Sequence, residues 1–197
     1  MELNDRIKTT AFGLFSKYGI SSVTMDMIAK ECGISKRTLY EQFPDKKSLV
    51  GASLLLSNDA MERLIDDHLA HSDNVMESFI YVHSIVLESI SKISDAFFID
   101  LRRLYPGVCG ILSELKERQQ QRIRSLIERG KREKVIREDV NAEIISSISV
   151  MQDTMKSEEG KYSHAEVYSA LFIIFLRGIA TEKGIKIIEH SQIINKK

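Results

Sequence analysis

A length of 197 residues is enough for one large domain or two small ones, each with a real hydrophobic core. Hydrophobic residues make up 43% and charged residues 28%, which is typical of a globular and not a disordered chain, and only 2 prolines and 10 glycines favour long helices over many strands. The 28 Lys and Arg balance the 28 Asp and Glu, and the first 50 residues carry eight of the former against six of the latter, a charge that identifies no partner.

The hydropathy, the start of the chain and the cysteine content predict a soluble cytoplasmic protein. No apolar stretch reaches ~18 residues, so we expect no transmembrane helix and no membrane partner. The acidic start of the chain lacks the apolar core of a secretion signal. The two cysteines, Cys32 and Cys109, are too few for a disulfide scaffold and have no metal-binding spacing.

The first predicted elements are three helices. Apolar residues at steps of three and four predict an amphipathic helix that stops at Gly19, on Ile7, Ala11, Leu14, Phe15 and Tyr18. Thr24 is expected to cap a second helix, and Gly33 to end it, because a residue without Cβ can take the left-handed conformation of a tight turn. Ser35 is expected to cap a third helix, which Pro44 breaks.

Helical spacing continues through the rest of the chain. We predict six further helices and one polar loop, at 45–71, 75–90, around 95–104, about 108–131, 140–155 and 167–179, with the loop at 156–161. The sequence therefore predicts an all-α fold of about nine helices.

The segment from Thr24 to Phe43 is the most informative part of the sequence. Two short helices joined by a glycine-containing turn form a helix-turn-helix unit, whose second helix enters the major groove of DNA. Ala29 is small where the helices cross, Gly33 permits the turn, and Leu39 packs the second helix on the first. The outward side then displays donors and cations that suit base edges and phosphates, namely Ser35, Lys36, Arg37, Thr38 and Tyr40. This spacing alone also fits a plain helical hairpin.

A wider set of residues carries a resemblance to a known family. The run comprises Arg6, Ile7, Ala11, Phe15, Gly19, Thr24, Ile28, Ala29, Gly33, Ile34, Ser35, Leu39, Tyr40, Phe43, Lys46 and Leu49. Over about the first 50 residues the chain resembles the TetR family of bacterial transcriptional regulators. The resemblance implies a DNA-binding head at residues 1–48 and a helical body at 49–197, which binds a small effector and dimerises. It also implies that a homodimer binds a palindromic operator in double-stranded DNA.

The resemblance also implies roles for residues of the head. Thr24 and Met25 begin the second helix, where a hydroxyl and the helix amides can bind a phosphate. The phenol of Tyr40 and the amine of Lys46 would contact other phosphates, although Tyr40 also fits a half-buried core residue and Lys46 a solvated helix start. Base contacts are expected from the exposed start of the recognition helix, at Lys36, Arg37 and Thr38, with a guanine for Arg37.

Two positions of the head depart from the family pattern. Asp26 is acidic where other members often carry a base-contacting or neutral residue, so it either contacts a cytosine or repels phosphate. Gln42 stands where many members have a histidine, which leaves a phosphate contact there in doubt.

The body supplies candidates for two further surfaces. We predict an effector site with apolar walls and polar anchors at His83, Phe97, Asp100, Arg102 and Tyr105. Arg102 and Arg103 either bind an anionic ligand or pair with nearby acids such as Asp95, Asp100 or Glu114. Family analogy places the dimer interface near 140–155 and 164–181, with the buried area supplied by Tyr168, Phe172, Phe175, Leu176 and Ile179.

The favoured function is a transcriptional repressor that a small molecule releases from DNA. The alternatives are an activator or an effector-independent DNA-binding protein of the same fold. An enzyme is not expected, because the chain lacks the catalytic motifs of hydrolases, P-loop proteins and metalloproteases. We expect no cofactor and no metal, since His68 and His71 alone make a weak pair of ligands. A helical adaptor would leave the outward Lys36, Arg37 and Tyr40 unexplained.

Overall fold

The computed structural model describes residues 2–111, 113–151 and 161–191. Eleven α-helices lie within this part of the chain, and their bounds are α1 Leu3–Tyr18, α2 Met25–Glu31, α3 Lys36–Gln42, α4 Lys46–His71, α5 Val75–Ser91, α6 Asp95–Leu104, α7 Pro106–Ile111, α8 Ser113–Arg132, α9 Ala142–Met151, α10 His164–Ile179 and α11 Glu182–His190. The predicted all-α fold is confirmed.

The two helices beyond the predicted nine have local causes. The predicted helix at about 108–131 corresponds to α7 and α8, and α7 starts at Pro106, whose missing N–H costs nothing at a first helical position. The last predicted helix ends at residue 179, and the structure adds α11 after it. Thr181 caps α11 by accepting a hydrogen bond from the backbone N–H of Gly184. Residues 152–155 of the predicted eighth helix, and all but the last residue of the predicted loop, lie outside the described residues.

The chain forms two compact units. The first unit consists of Met1–Arg63 and Lys92–Ser113, and the second of Leu64–Ser91 and Glu114–Lys197. The first unit is therefore larger than the predicted head, because it also contains α6 and α7. The functional division at residue 48 stays a prediction.

The core of the first unit joins the three head helices to α6. Ile7, Phe15 and Leu39 are completely buried in one cluster, and Phe97 of α6 is only 2% exposed in the same cluster. The rings of Phe12 and Phe97 meet edge to face with centroids 6.1 Å apart. In addition, the backbone N–H of Ser94 donates to the carbonyl of Ser16. Helix α6 is thus part of the structure that supports the head.

The predicted helix signals of the head are confirmed. The hydroxyl of Thr24 accepts from the N–H of Met27, and the hydroxyl of Ser35 accepts from the N–H of Thr38. Gly19 and Gly33 both have positive φ, at 82° and 63°, which is a backbone conformation that favours glycine. These caps and turns fix where α2 and α3 begin.

The second unit is built around α5, which packs against α10 and α11. Its core includes Val75, Ile127, Leu176 and Ile188, each of which is fully buried. Arg137 forms a bidentate pair with Asp139 and also donates to a carbonyl of α10, so the turn that follows α8 is held against that helix. None of the described helices combines the length and apolar character that a membrane span requires.

Candidate nucleic-acid interface

Packing of the head decides which face of α3 meets solvent. Leu39 is fully buried and Ala29 is 4% exposed, so α3 lies closely against α2. Because one side of α3 is committed to this contact, the residues around Leu39 on the other side point outward. Lys36, Arg37 and Tyr40 are all exposed, as the sequence predicted.

Both cations on this face are paired with carboxylates. The Nζ of Lys36 lies 2.8 Å from Oδ1 of Asp26, an ion pair that links α3 to α2. The Nε of Arg37 lies 3.0 Å from Oε1 of Glu41, one helical turn further along α3. The hydrogen bond and the charge of Asp26 raise the pKa of Lys36. The exposed face therefore carries two positive and two negative charges.

The neutral candidates of α3 divide into two kinds. Tyr40 is 42% exposed, so its phenol is not part of the core. The hydroxyls of Ser35 and Thr38 lie 2.8 Å apart and are hydrogen-bonded to each other. Their position is thus set by helix capping, and contact with DNA would need them to share or exchange that bond.

Two residues predicted to contact phosphates, Met25 and Lys46, are more buried than a simple surface contact requires. The side chain of Met25 is 7% exposed and belongs to the core, so this residue could offer DNA only its backbone amide. Lys46 is half-buried, with its Nζ 5.9 Å from the centre of the Phe15 ring. Burial lowers the pKa of Lys46, while the nearby carboxylate of Asp100 acts in the opposite direction.

The structure adds residues that sequence reasoning did not single out. Met27 is 42% exposed at the start of α2, where it stands off the apolar stripe that packs on the core. The amide of Asn4 in α1 donates to the side-chain oxygen of Gln42 at the end of α3, at 3.2 Å. Helical spacing in the sequence is a signal that could have placed Met27 outside the core. No signal in the neighbouring sequence predicts the hydrogen bond between Asn4 and Gln42, which are 38 residues apart.

The predicted effector residues do not belong to a single unit. Phe97, Asp100, Arg102 and Tyr105 lie in the first unit, and His83 lies in the second. Phe97 is core, and both carboxylate oxygens of Asp100 accept hydrogen bonds from Ser21, at 2.6 Å each. Phe97 and Asp100 therefore hold α6 to the head, and their assignment to an effector site stays a prediction. Burial is the main cause of a raised pKa at Tyr105.

His83 has a different environment in the second unit. It is 2% exposed and stacks on Phe172 with ring centroids 4.1 Å apart, and on Tyr168 at 5.2 Å. Burial lowers the pKa of His83 to about 4, so its imidazole is neutral at physiological pH. Its Nδ1 is buried without a hydrogen-bond partner. Buried polar atoms are rarely left in this state, which makes Nδ1 a candidate ligand contact.

Most of the predicted dimer-interface side chains are already covered within one chain. Phe172, Leu176 and Ile179 are at most 7% exposed and pack in the core of the second unit. Within one chain these three are core residues, and their role at a dimer interface stays a prediction. Phe175 is half-buried against Phe79, and Tyr168 is half-buried beside His83.

Other apolar residues remain open on the helices that the interface prediction named. Ile174 of α10 is 69% exposed, and Ile144 and Ile148 of α9 are 56% and 47% exposed. Ile144 and Ile148 are four residues apart and so share one face of α9. Within the described residues, no group of three or more His, Cys, Asp or Glu could hold a metal ion.

The fold and this face define the class of protein: an all-helical chain whose first unit contains a helix-turn-helix formed by α2 and α3. Residues 7–52 match the family model described as bacterial regulatory proteins, tetR family. The similarity to the tetR family is thus shown for this segment, which contains α2 and α3.

Curated relatives match a short stretch of the chain. An HTH-type transcriptional regulator of Staphylococcus aureus is 43% identical over 49 residues, which are 25% of this chain and 26% of the relative. The HTH-type transcriptional regulator YerO of Bacillus subtilis is also 43% identical over 49 residues, which are 25% of this chain and 17% of YerO. The chain therefore spans about a quarter or less of the length of these relatives.

Solved structures match over most of the chain. A transcriptional regulator from Saccharomonospora viridis in complex with choline has a TM-score of 0.72 at 18% identity, over 91% of this chain and 98% of its own. A transcriptional regulator from Cytophaga hutchinsonii has a TM-score of 0.71 at 19% identity, over 89% and 97%. At these identities the likeness shows a shared fold.

Proposed function

We propose that this protein is a sequence-specific DNA-binding transcriptional regulator. It acts in the cytoplasm as a homodimer on a palindromic operator, represses transcription, and leaves the DNA when a small effector binds. No catalytic step is part of this proposal.

One observation carries the DNA-binding role: the outward face of α3. Lys36, Arg37 and Tyr40 are exposed together while Leu39 anchors the same helix in the core. A guanidinium can donate two hydrogen bonds to O6 and N7 of guanine, and a phenol and an ammonium suit phosphates or base acceptors. The match of residues 7–52 to the tetR family supports the same role.

The experiment uses a duplex that the protein itself selects from a random pool. Fluorescence anisotropy then compares this operator with an unselected duplex of equal length. Arg37→Ala is expected to weaken operator binding by roughly 1–3 kcal/mol and to affect the unselected duplex much less. Arg132→Ala removes an exposed arginine from the end of α8 and serves as the matched control. Equal losses on both duplexes would reassign Arg37 to a phosphate contact, and no enrichment of any duplex would refute the proposed function.

The homodimer is supported by symmetry and by exposed apolar surface. A single short recognition helix offers few contacts, whereas a two-fold dimer places one such helix in each half-site of a palindrome. The exposed Ile144, Ile148 and Ile174 supply apolar side chains that a second copy would cover.

The effector role rests on His83. A neutral imidazole that stacks on Phe172 and Tyr168, with Nδ1 unpartnered, suits a small molecule that inserts among aromatic rings and completes one hydrogen bond. The neighbouring regulator in complex with choline supports a small molecule as the effector class. A compound that releases the operator from the wild type should lose this effect with His83→Phe while operator binding itself remains. Unchanged release would place the effector elsewhere.

A further inference from the structure

The charges of α3 are arranged against the usual preference of a helix. Lys36 and Arg37 occupy the first turn and Glu41 the last, and no acidic residue stands in the first turn nor a basic residue in the last. The helix dipole favours the opposite order, with acids near the N-terminus and bases near the C-terminus. An i,i+4 pair is also weaker when the base precedes the acid, as Arg37 precedes Glu41. Helix stability therefore does not explain this pattern.

The geometry of the Arg37–Glu41 pair leaves the two terminal nitrogens of the guanidinium available for DNA. The contact with Glu41 uses Nε, at 3.0 Å. Within the described residues this is the only ion pair of Arg37, and it leaves both terminal nitrogens for another acceptor. Nearly the whole side chain faces solvent, at 89% exposure. A carboxylate that holds Nε restricts the rotation of the guanidinium without blocking its terminal N–H groups.

We propose that Glu41 is a specificity-determining residue of the DNA-binding face: it positions Arg37 for a guanine and withholds the charge of Arg37 from phosphates. This inference rests on the proposed function. Asp26 holds Lys36 in the same manner from α2, at 2.8 Å.

Two physical effects produce the specificity. A positioned guanidinium loses less rotational entropy when it binds a base edge, so the affinity for the operator increases. On non-specific DNA the protein is held by phosphates, and a cation already paired with a carboxylate replaces fewer counterions. Removal of the carboxylate should therefore weaken the operator complex and strengthen the non-specific complex.

Two substitutions at Glu41 separate these effects. Glu41→Ala removes both the acceptor and the charge, whereas Glu41→Gln keeps an oxygen that accepts from Nε and removes only the charge. Asp66→Asn is the control for net charge, because it makes the same charge change at an exposed carboxylate that pairs with the half-buried Arg122 in the second unit. The probes are the operator selected by the wild-type protein and an unselected duplex, each titrated over a series of salt concentrations. Circular dichroism and melting temperature verify that each variant is folded.

The expected result differs between the duplexes and between the variants. Both Glu41 variants should bind the unselected duplex about two- to fivefold more tightly, which is the range for exposed ion pairs. The slope of log K against log salt should steepen by about one unit as Arg37 gains a phosphate. Operator affinity should fall about two- to tenfold in Glu41→Ala and be largely rescued in Glu41→Gln.

Three outcomes would overturn the inference. Equal changes on both duplexes, shared by Asp66→Asn, would reduce it to an effect of net charge. Unchanged affinities would remove any role for Glu41. Operator loss in both Glu41 variants, with an unchanged salt slope on the unselected duplex, would make Glu41 a direct base contact instead. A wild-type protein that selects no duplex would refute the proposed function itself, before any variant is measured.

Discussion

Replacing Gly19 by alanine tests how the head is joined to α6. Gly19 ends α1 with φ 82° and ψ 154°, a region of backbone conformation that is essentially restricted to glycine. A Cβ at this position would lie 3.0 Å from Cβ of Ala96 and 3.2 Å from Oδ2 of Asp100. That oxygen accepts the hydrogen bond from the backbone N–H of Ser21, so the neighbour cannot move away freely.

The expected cost is the sum of backbone strain and crowding. A side chain forced into this backbone region costs about 1–3 kcal/mol. Crowding against the backbone-fixed Cβ of Ala96 adds about 1 kcal/mol, the lower end of the range for overpacking. We therefore expect Gly19→Ala to lower the free energy of unfolding by about 2–4 kcal/mol, or the melting temperature by roughly 4–16 °C for a chain of this size.

Gly13 provides a control of opposite sign. It lies in the interior of α1, and a Cβ there would meet nothing within 4 Å. Alanine is a better helix former than glycine, so Gly13→Ala should stabilise the first unit by about 0.5–1 kcal/mol. Both variants are followed by circular dichroism during heating and urea titration. A Gly19→Ala variant as stable as the wild type would refute the reasoning, and so would a Gly13→Ala variant that is equally destabilised.

Three further predictions concern DNA, pH and assembly. Lys46→Ala should weaken binding to operator and unselected DNA alike and lower the salt slope by about one unit, because it removes one phosphate contact; an unchanged slope would mean that the half-buried amine does not reach the DNA backbone. Acidification should destabilise the wild type between pH 6.5 and about 4, because the folded-state pKa of His83 is lowered from 6.5 to about 4 and the unfolded chain then binds an extra proton. His83→Phe should lack this part of the loss, and melting curves that depend on pH equally in both proteins would contradict it. Ile174→Glu should give folded monomers, since the side chain is 69% exposed, whereas Phe172→Glu should lose helical signal, since Phe172 is 7% exposed. Light scattering and circular dichroism on the same samples distinguish these results, and an intact dimer of Ile174→Glu would place the interface elsewhere.

The predictable features of the head are those encoded by neighbouring residues. Thr24 and Ser35 bond to amides three residues away, and Gly33 supplies its own backbone conformation, so each signal is complete within a few positions. The burial of Leu39 follows from helical spacing in the same way. These local signals were sufficient to predict the helix-turn-helix and the outward side of α3.

Sequence alone leaves two environments open wherever one residue type fits both. Phe97 and Asp100 suit the wall and the anchor of a pocket, but they equally suit a core contact and a hydrogen bond to Ser21. The apolar stripe of α10 predicted a face to be covered, and periodicity cannot state whether the same chain or a second copy covers it. Phe172 and Leu176 proved to be core, and Ile174 proved to be exposed.

The sequence by itself determined the all-α class, the caps and turns of the head, and the set of residues on the outward face of α3. Only the tertiary structure decided that Asp100 binds Ser21, 79 residues earlier in the chain, and that Asp26 pairs with Lys36 across two helices. The physical reason is one of range. Capping and helical spacing act over three or four residues, whereas contacts between distant residues depend on how whole helices pack, and helical spacing does not specify that packing.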